Sequence, residues 1–67
     1  MDESLQAKLA KSNINITNIT ETHVLFEFPY HPRPGEVRWC KSYINLKYAT
    51  MGKIPELVLE LRKILER

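Results

Sequence analysis

Hydrophobic positions near the amino terminus are spaced as in a short helix. Leu5 and Leu9 are four residues apart within the segment 4–11, which places them on one side of a helix. Asp2 or Ser4 can cap the first turn, since both side chains accept hydrogen bonds from backbone N–H groups. A helix of two or three turns is unstable alone, so we expect it to dock on a core.

The spacing of apolar residues then changes to two, as in strands. Ile14 and Ile16 alternate with polar neighbours, and the phase shifts near Asn18, which predicts a bulge or the strand's end there. The segment 23–28 is the clearest strand, because its alternate residues are Val24, Phe26 and Phe28. The opposite face of that strand would carry His23, Leu25 and Glu27.

Alternation continues over residues 36–48, which is longer than one strand of a small sheet. These 13 residues would span about 43 Å if fully extended. The apolar face also changes along the segment, from Val37 and Trp39 to Ile44. We therefore expect the segment to bend or break near Lys41-Ser42.

A second helix is predicted to begin around Met51–Pro55, because proline suits the first turn of a helix. Six apolar residues follow with helical spacing: Ile54, Leu57, Val58, Leu61, Ile64 and Leu65. Leu59 lies on the opposite, charged side of this helix, so we expect its side chain to be exposed.

These elements predict one α+β domain over residues 1–67, in the order α-β-β-β-α with room for a fourth strand. We expect an antiparallel sheet with both helices packed on one face. The order resembles that of double-stranded-RNA-binding domains, which have a similar length. Those domains carry a lysine cluster before the last helix, where this chain has only Lys53. The resemblance covers the topology alone, and no family is recognised from the sequence.

Composition favours a small intracellular protein. A chain of 67 residues buries only about 60% of its unfolded surface, so we expect tight packing or self-association. The single cysteine, Cys40, is consistent with a reducing compartment, and the acidic start at Met1–Ser4 is unlike a signal peptide. No apolar run is long enough to span a membrane. We therefore expect a cytoplasmic location and no membrane partner.

Catalytic chemistry finds no support in the sequence. Cys40, His23 and His31 match neither a nucleophile–base motif nor a metal-ligand spacing. Gly35 and Gly52 stand alone, so no phosphate-binding loop is present. We expect a protein that is not an enzyme, with no metal, cofactor or small-molecule substrate.

The most distinctive stretch is the loop 29–35, which contains three of the four prolines. A stiff loop loses little entropy on binding, and tyrosine and arginine are enriched in interface hot spots. The predicted contact surface therefore comprises Tyr30, His31, Arg33 and Leu59. On this interpretation the chain binds a protein, as a regulator, an inhibitor or an accessory subunit, or pairs with itself as a homodimer.

Nucleic-acid binding is the alternative hypothesis. Basic and aromatic residues are interleaved along one stretch, as in surfaces that stack bases and contact phosphates: Arg38, Trp39, Lys41, Tyr43 and Lys47. However, a net charge of +2 is smaller than is typical of nucleic-acid-binding proteins. The orientation of Trp39 and Tyr43, toward the core or toward solvent, separates the two hypotheses most strongly.

Overall fold

The computed structural model describes residues 4–66, which begin with the cap of the first helix. Helix α1 comprises Leu5–Lys11, and the Ser4 hydroxyl accepts a hydrogen bond from the Ala7 N–H at 3.2 Å. Ser4 is therefore the N-cap, while the other predicted cap, Asp2, lies outside the described residues. Asn13 has a φ of 58° after the helix, which turns the chain into the sheet.

Three antiparallel strands form the sheet in the order β1-β2-β3: Asn15–Ile19, His23–Tyr30 and Arg38–Asn45. The register between β1 and β2 shifts between Ile16 and Asn18, so the predicted bulge is confirmed. Among the described residues the sheet has three strands, and the optional fourth strand is not formed.

Strand β3 does not bend where the sequence predicted. Lys41 pairs with Glu27 and Ser42 pairs with Phe26 in one continuous register. The strand ends instead at Asn45, whose carbonyl accepts a hydrogen bond from the Tyr48 N–H at 2.9 Å. The prediction took the change of apolar face as a bend, whereas one regular strand exposes Trp39 on one face and buries Ile44 on the other.

Helix α2 comprises Ile54–Leu65 and follows a single 3₁₀ turn at Met51–Lys53. Pro55 lies in its first turn, as predicted. The predicted apolar stripe is correct at Ile54 and Val58, which are fully buried, but Ile64 is 61% exposed. Ile64 lies in the last turn of the helix. None of the described helices is long and apolar enough to cross a bilayer.

Both helices pack on the same face of the sheet, which confirms the α+β class. The buried core contains residues from both helices, from the connection between α1 and β1, from β2 and from β3: Leu9, Ile14, Val24, Phe26, Phe28, Ile44, Ile54 and Val58. The molecule measures 36 × 29 × 18 Å, so its thinnest dimension holds only two layers. Within residues 4–66 the second face of the sheet therefore has no layer over it.

Arg62 of α2 forms hydrogen bonds with the ends of α1 and β2. Its Nε and Nη2 atoms donate to the Pro29 carbonyl at 3.1 and 3.0 Å, and Nη2 donates to the Ser12 carbonyl at 2.6 Å. The guanidinium carbon also lies 5.5 Å from the centre of the Phe28 ring. One side chain thus joins the end of α1, the end of β2 and the last turns of α2.

Candidate functional site

One face of the sheet is not covered by either helix of the described residues 4–66. We call it the open face and define it by the side chains of β2 and β3 that point away from the helices. Opposed pairs across the two strands make up this face: His23–Asn45, Leu25–Tyr43, Glu27–Lys41 and Pro29–Trp39. Their neighbours in sequence, such as Phe26 and Phe28, are buried beneath the helices.

Large apolar side chains on the open face are in contact with solvent. Trp39 is 53% exposed, Tyr43 is 63% exposed and Leu25 is 39% exposed. In a domain of this size, a tryptophan side chain usually packs in the core. Exposed tryptophan and tyrosine side chains on one face of a sheet are typical of an interaction surface.

Hydrogen bonds and a ring contact order the end of the open face at the β1–β2 turn. The rings of His23 and Tyr43 lie 5.5 Å apart at 60°, and the His23 Nδ1 atom is 2.8 Å from the Thr22 hydroxyl. The Thr20 hydroxyl accepts the His23 N–H at 2.9 Å. These contacts hold the Tyr43 ring on a rigid strand, which lowers the entropy lost when the ring is covered.

A shallow hollow of about 430 Å³ continues the open face beyond Tyr43. Its lining comprises Glu21, Thr22, His23, Asn45, Leu46 and Lys47. The hollow is broad and open, so it extends the surface that a macromolecule would cover.

The charges at the middle of the open face are balanced. Glu27 and Lys41 are directly opposed across β2 and β3, yet no ion pair joins them. A carboxylate beside an ammonium produces no field of a single sign. The open face is therefore aromatic and close to neutral at its centre.

The residues of the predicted loop surface form packing contacts and hydrogen bonds within the protein. Tyr30 is half-buried, and its side chain packs against the core. The His31 N–H donates to the Glu66 carboxylate at 2.7 Å, and the His31 Nδ1 atom lies 3.2 Å from the Glu36 carbonyl. Arg33 is exposed, and its carbonyl accepts the Glu36 N–H at 3.0 Å. These bonds make the loop an ordered connection between β2 and β3.

Leu59 is 56% exposed, as predicted, but it does not join the loop. Glu66, which contacts the loop through His31, follows Leu59 by seven residues, or about 10 Å along a helix. The structure therefore separates the four residues of the predicted protein-binding surface into a packed tyrosine, two loop residues and a leucine on the outer side of α2.

Of the five residues predicted for nucleic-acid binding, Trp39, Lys41 and Tyr43 share the open face. Arg38 points to the other side of the sheet, opposite Tyr30, and its Nε atom donates to the Glu36 carboxylate at 2.8 Å. That hydrogen bond, with the carboxylate's charge, raises the pKa of the Arg38 guanidinium above its ordinary value.

Lys47 lies beyond the end of β3, on the rim of the hollow. Its Nζ atom is 5.7 Å from the centre of the Tyr48 ring, and its N–H donates to the Asn45 side chain at 2.9 Å. Lys41 is therefore the one of the three predicted basic residues that lies on the open face with Trp39 and Tyr43.

Candidate groups for catalysis or metal binding are dispersed. Cys40 is half-buried on the helix side of the sheet as a free thiol, and its Sγ atom is 3.9 Å from the Lys41 carbonyl. His23 and His31 lie at opposite ends of β2. Within residues 4–66 no three His, Cys, Asp or Glu side chains are grouped to hold a metal ion.

Sequence reasoning did not include Leu25 among the candidate site residues, and it missed the structural role of Arg62. Leu25 could have been found, because the alternation of β2 already assigned it to the face opposite Phe26. Arg62 could not, since its partners are 33 and 50 residues away in the chain.

Comparison of the chain with protein-family models, with curated proteins and with solved structures finds no match.

Proposed function

We propose that this chain is a non-enzymatic protein-binding module whose contact surface is the open face. The observation that carries the proposal is the exposure of Trp39 and Tyr43 on a face that no helix covers. Both residue types are enriched at interface hot spots, since they bury a large area at a small cost in side-chain entropy. A regulator, an inhibitor or an accessory subunit would use such a surface.

The character of the open face favours a protein over a nucleic acid. A nucleic-acid platform needs several cations to contact phosphates around its aromatic rings. Here Lys41 is opposed by Glu27, and Arg38 is paired with Glu36 on the other side of the sheet. A balanced pair of charges at the centre of the open face gives no net attraction for a polyanion, whereas a protein partner can pair with both groups.

Nucleic-acid binding remains a second candidate because Trp39 and Tyr43 flank Lys41 along one strand. In that arrangement bases would stack on the two rings while Lys41 contacts a phosphate. The free thiol of Cys40 suits the cytoplasmic, reducing compartment that the sequence predicts for either function.

The proposal is tested by comparing the binding partners that the immobilised wild-type protein and a variant capture. We expect immobilised wild-type protein to retain a partner that the double variant Trp39→Ala/Tyr43→Ala loses. Tyr48→Ala is the matched control, because Tyr48 is 79% exposed and lies outside the open face. The retained partner is then purified and its direct binding is measured by titration calorimetry.

Binding to oligonucleotides tests the alternative, nucleic-acid-binding hypothesis. Fluorescence anisotropy with labelled mixed-sequence single- and double-stranded DNA and RNA, at about 50 and 200 mM salt, should show no micromolar binding. The proposal is overturned if the double variant retains the same partners as the wild type. It is also overturned if oligonucleotides bind with a steep salt dependence that Lys41→Ala and Lys47→Ala reduce.

A further inference from the structure

The two edges of the sheet are unlike each other. Strand β1 has five residues and a bulge at Thr17, two features that blunt an edge against pairing. Strand β3 has eight residues, from Arg38 to Asn45, in an uninterrupted register with β2. A long and regular edge strand is a template for another strand unless something protects it.

The main-chain groups on the free side of β3 belong to the residues of the open face. The Leu46 N–H donates to the Thr22 carbonyl at 2.8 Å, so even-numbered residues of this ladder point their N–H and C=O groups toward β2. The groups of Trp39, Lys41 and Tyr43 therefore point outward. Within residues 4–66 no backbone partner meets them.

We propose that a second copy of this chain pairs antiparallel with β3 through these outward groups, forming a six-stranded sheet across a two-fold axis. The pairing uses main-chain atoms of the edge and goes beyond the protein-binding role proposed for the open face. In the dimer the two open faces become one continuous surface.

The edge itself favours a second copy as the occupant. An antiparallel copy of β3 has the same eight residues, so its outward N–H and C=O groups match those of the first copy in number and spacing. Two-fold dimers are also the commonest oligomers of soluble proteins. A domain this small also gains more from association than a larger one does, because its own core is small.

Geometry and charge select one register for the pairing. The two open faces lie on the same side of the dimer's sheet only if one residue of β3 faces its own copy across the two-fold axis. Seven residues of each strand pair only when that residue is Lys41 or Ser42. An axis at Lys41 would set two lysines directly opposite each other, which is unfavourable. An axis at Ser42 instead sets Lys41 opposite Tyr43 and Trp39 opposite Asn45 of the second copy.

The first test is a charge swap, measured by sedimentation equilibrium. Tyr43→Lys places a lysine opposite Lys41 at two symmetric positions, so we expect the dimer dissociation constant to rise at least about tenfold. Adding Lys41→Glu to this variant should restore the dimer, since opposite charges then face each other. Circular dichroism shows whether each variant is folded.

The second test fixes the register by disulfide formation in a Cys40→Ser background. Residues that face themselves across the axis are close enough to be cross-linked. Ser42→Cys should therefore yield a covalent dimer under mild oxidation, and Lys41→Cys should not. A wild-type protein that sediments as a monomer at hundreds of micromolar overturns the proposal, as does preferential cross-linking of Lys41→Cys. A monomer would leave the protein-binding proposal standing, because that proposal depends on capture by the open face.

Discussion

Replacing Arg62 by alanine is expected to lower the free energy of unfolding by about 2–4 kcal/mol. The substitution removes three hydrogen bonds from a charged donor and leaves the Pro29 and Ser12 carbonyls without that partner. It also removes the cation that lies over the Phe28 ring. A 67-residue domain has only about 3–10 kcal/mol of total stability, so the loss is a large fraction of it.

Urea denaturation followed by far-ultraviolet circular dichroism measures this effect. Lys63→Ala is the control, because Lys63 is exposed and, within residues 4–66, forms an ion pair only with Glu60 at 3.6 Å. We expect a change in the free energy of unfolding below about 0.5 kcal/mol. Arg62→Lys should remain destabilised, since an ammonium cannot reproduce the fork that reaches both carbonyls. If Arg62→Ala unfolds at the wild-type urea concentration, Arg62 does not join the elements as described.

Trp39→Ala is expected to have the opposite profile, with a large effect on binding and a small one on stability. Truncating an interface tryptophan commonly costs at least about 2 kcal/mol, so the dissociation constant of the purified partner complex should rise about 30-fold or more. The free energy of unfolding should change by less than about 1 kcal/mol, because the side chain is 53% exposed and packs in no buried cluster.

The same titration with Tyr48→Ala controls for a general loss of exposed aromatic surface. We expect its dissociation constant to match that of the wild type, since Tyr48 lies beyond the end of β3. Equal weakening by Trp39→Ala and Tyr48→Ala would show that the open face is not the specific contact surface. A Trp39→Ala variant that loses several kcal/mol of stability would instead assign Trp39 to the fold.

Local periodicity predicts the elements of this fold well. The spacing of Val24, Phe26 and Phe28, and the proline at the start of α2, depend on interactions within a few residues. The bulge in β1 is also visible as a phase shift. These features were predicted because the physics that produces them acts between near neighbours in the chain.

The orientation of Trp39 could not be predicted in the same way. Alternation assigns it to one face of β3, but only the packing of both helices decides which face is covered. Treating Trp39 as a core residue requires the strand to bend near Lys41-Ser42, and the structure shows a regular strand there. Burial of a sheet face is a property of the tertiary fold.

The segment 29–35, predicted as a loop, illustrates the same limit for a candidate site, and its first two residues belong to β2. Its prolines predict a stiff connection, yet stiffness does not distinguish a binding loop from a structural one. The hydrogen bond from His31 to Glu66 joins residues 35 apart in sequence, and it assigns part of this loop to holding the end of α2. Contacts of that range leave no local pattern.

Fluorescence quenching of Trp39 tests the central claim most directly, because it is the only tryptophan in the chain. With acrylamide as the quencher and the protein at low micromolar concentration, we expect a Stern–Volmer constant close to that of the same protein unfolded in guanidinium chloride. A partner bound to the open face should then reduce it. A native constant several-fold below the unfolded one, with no partner present, would place Trp39 in a covered environment and contradict the account.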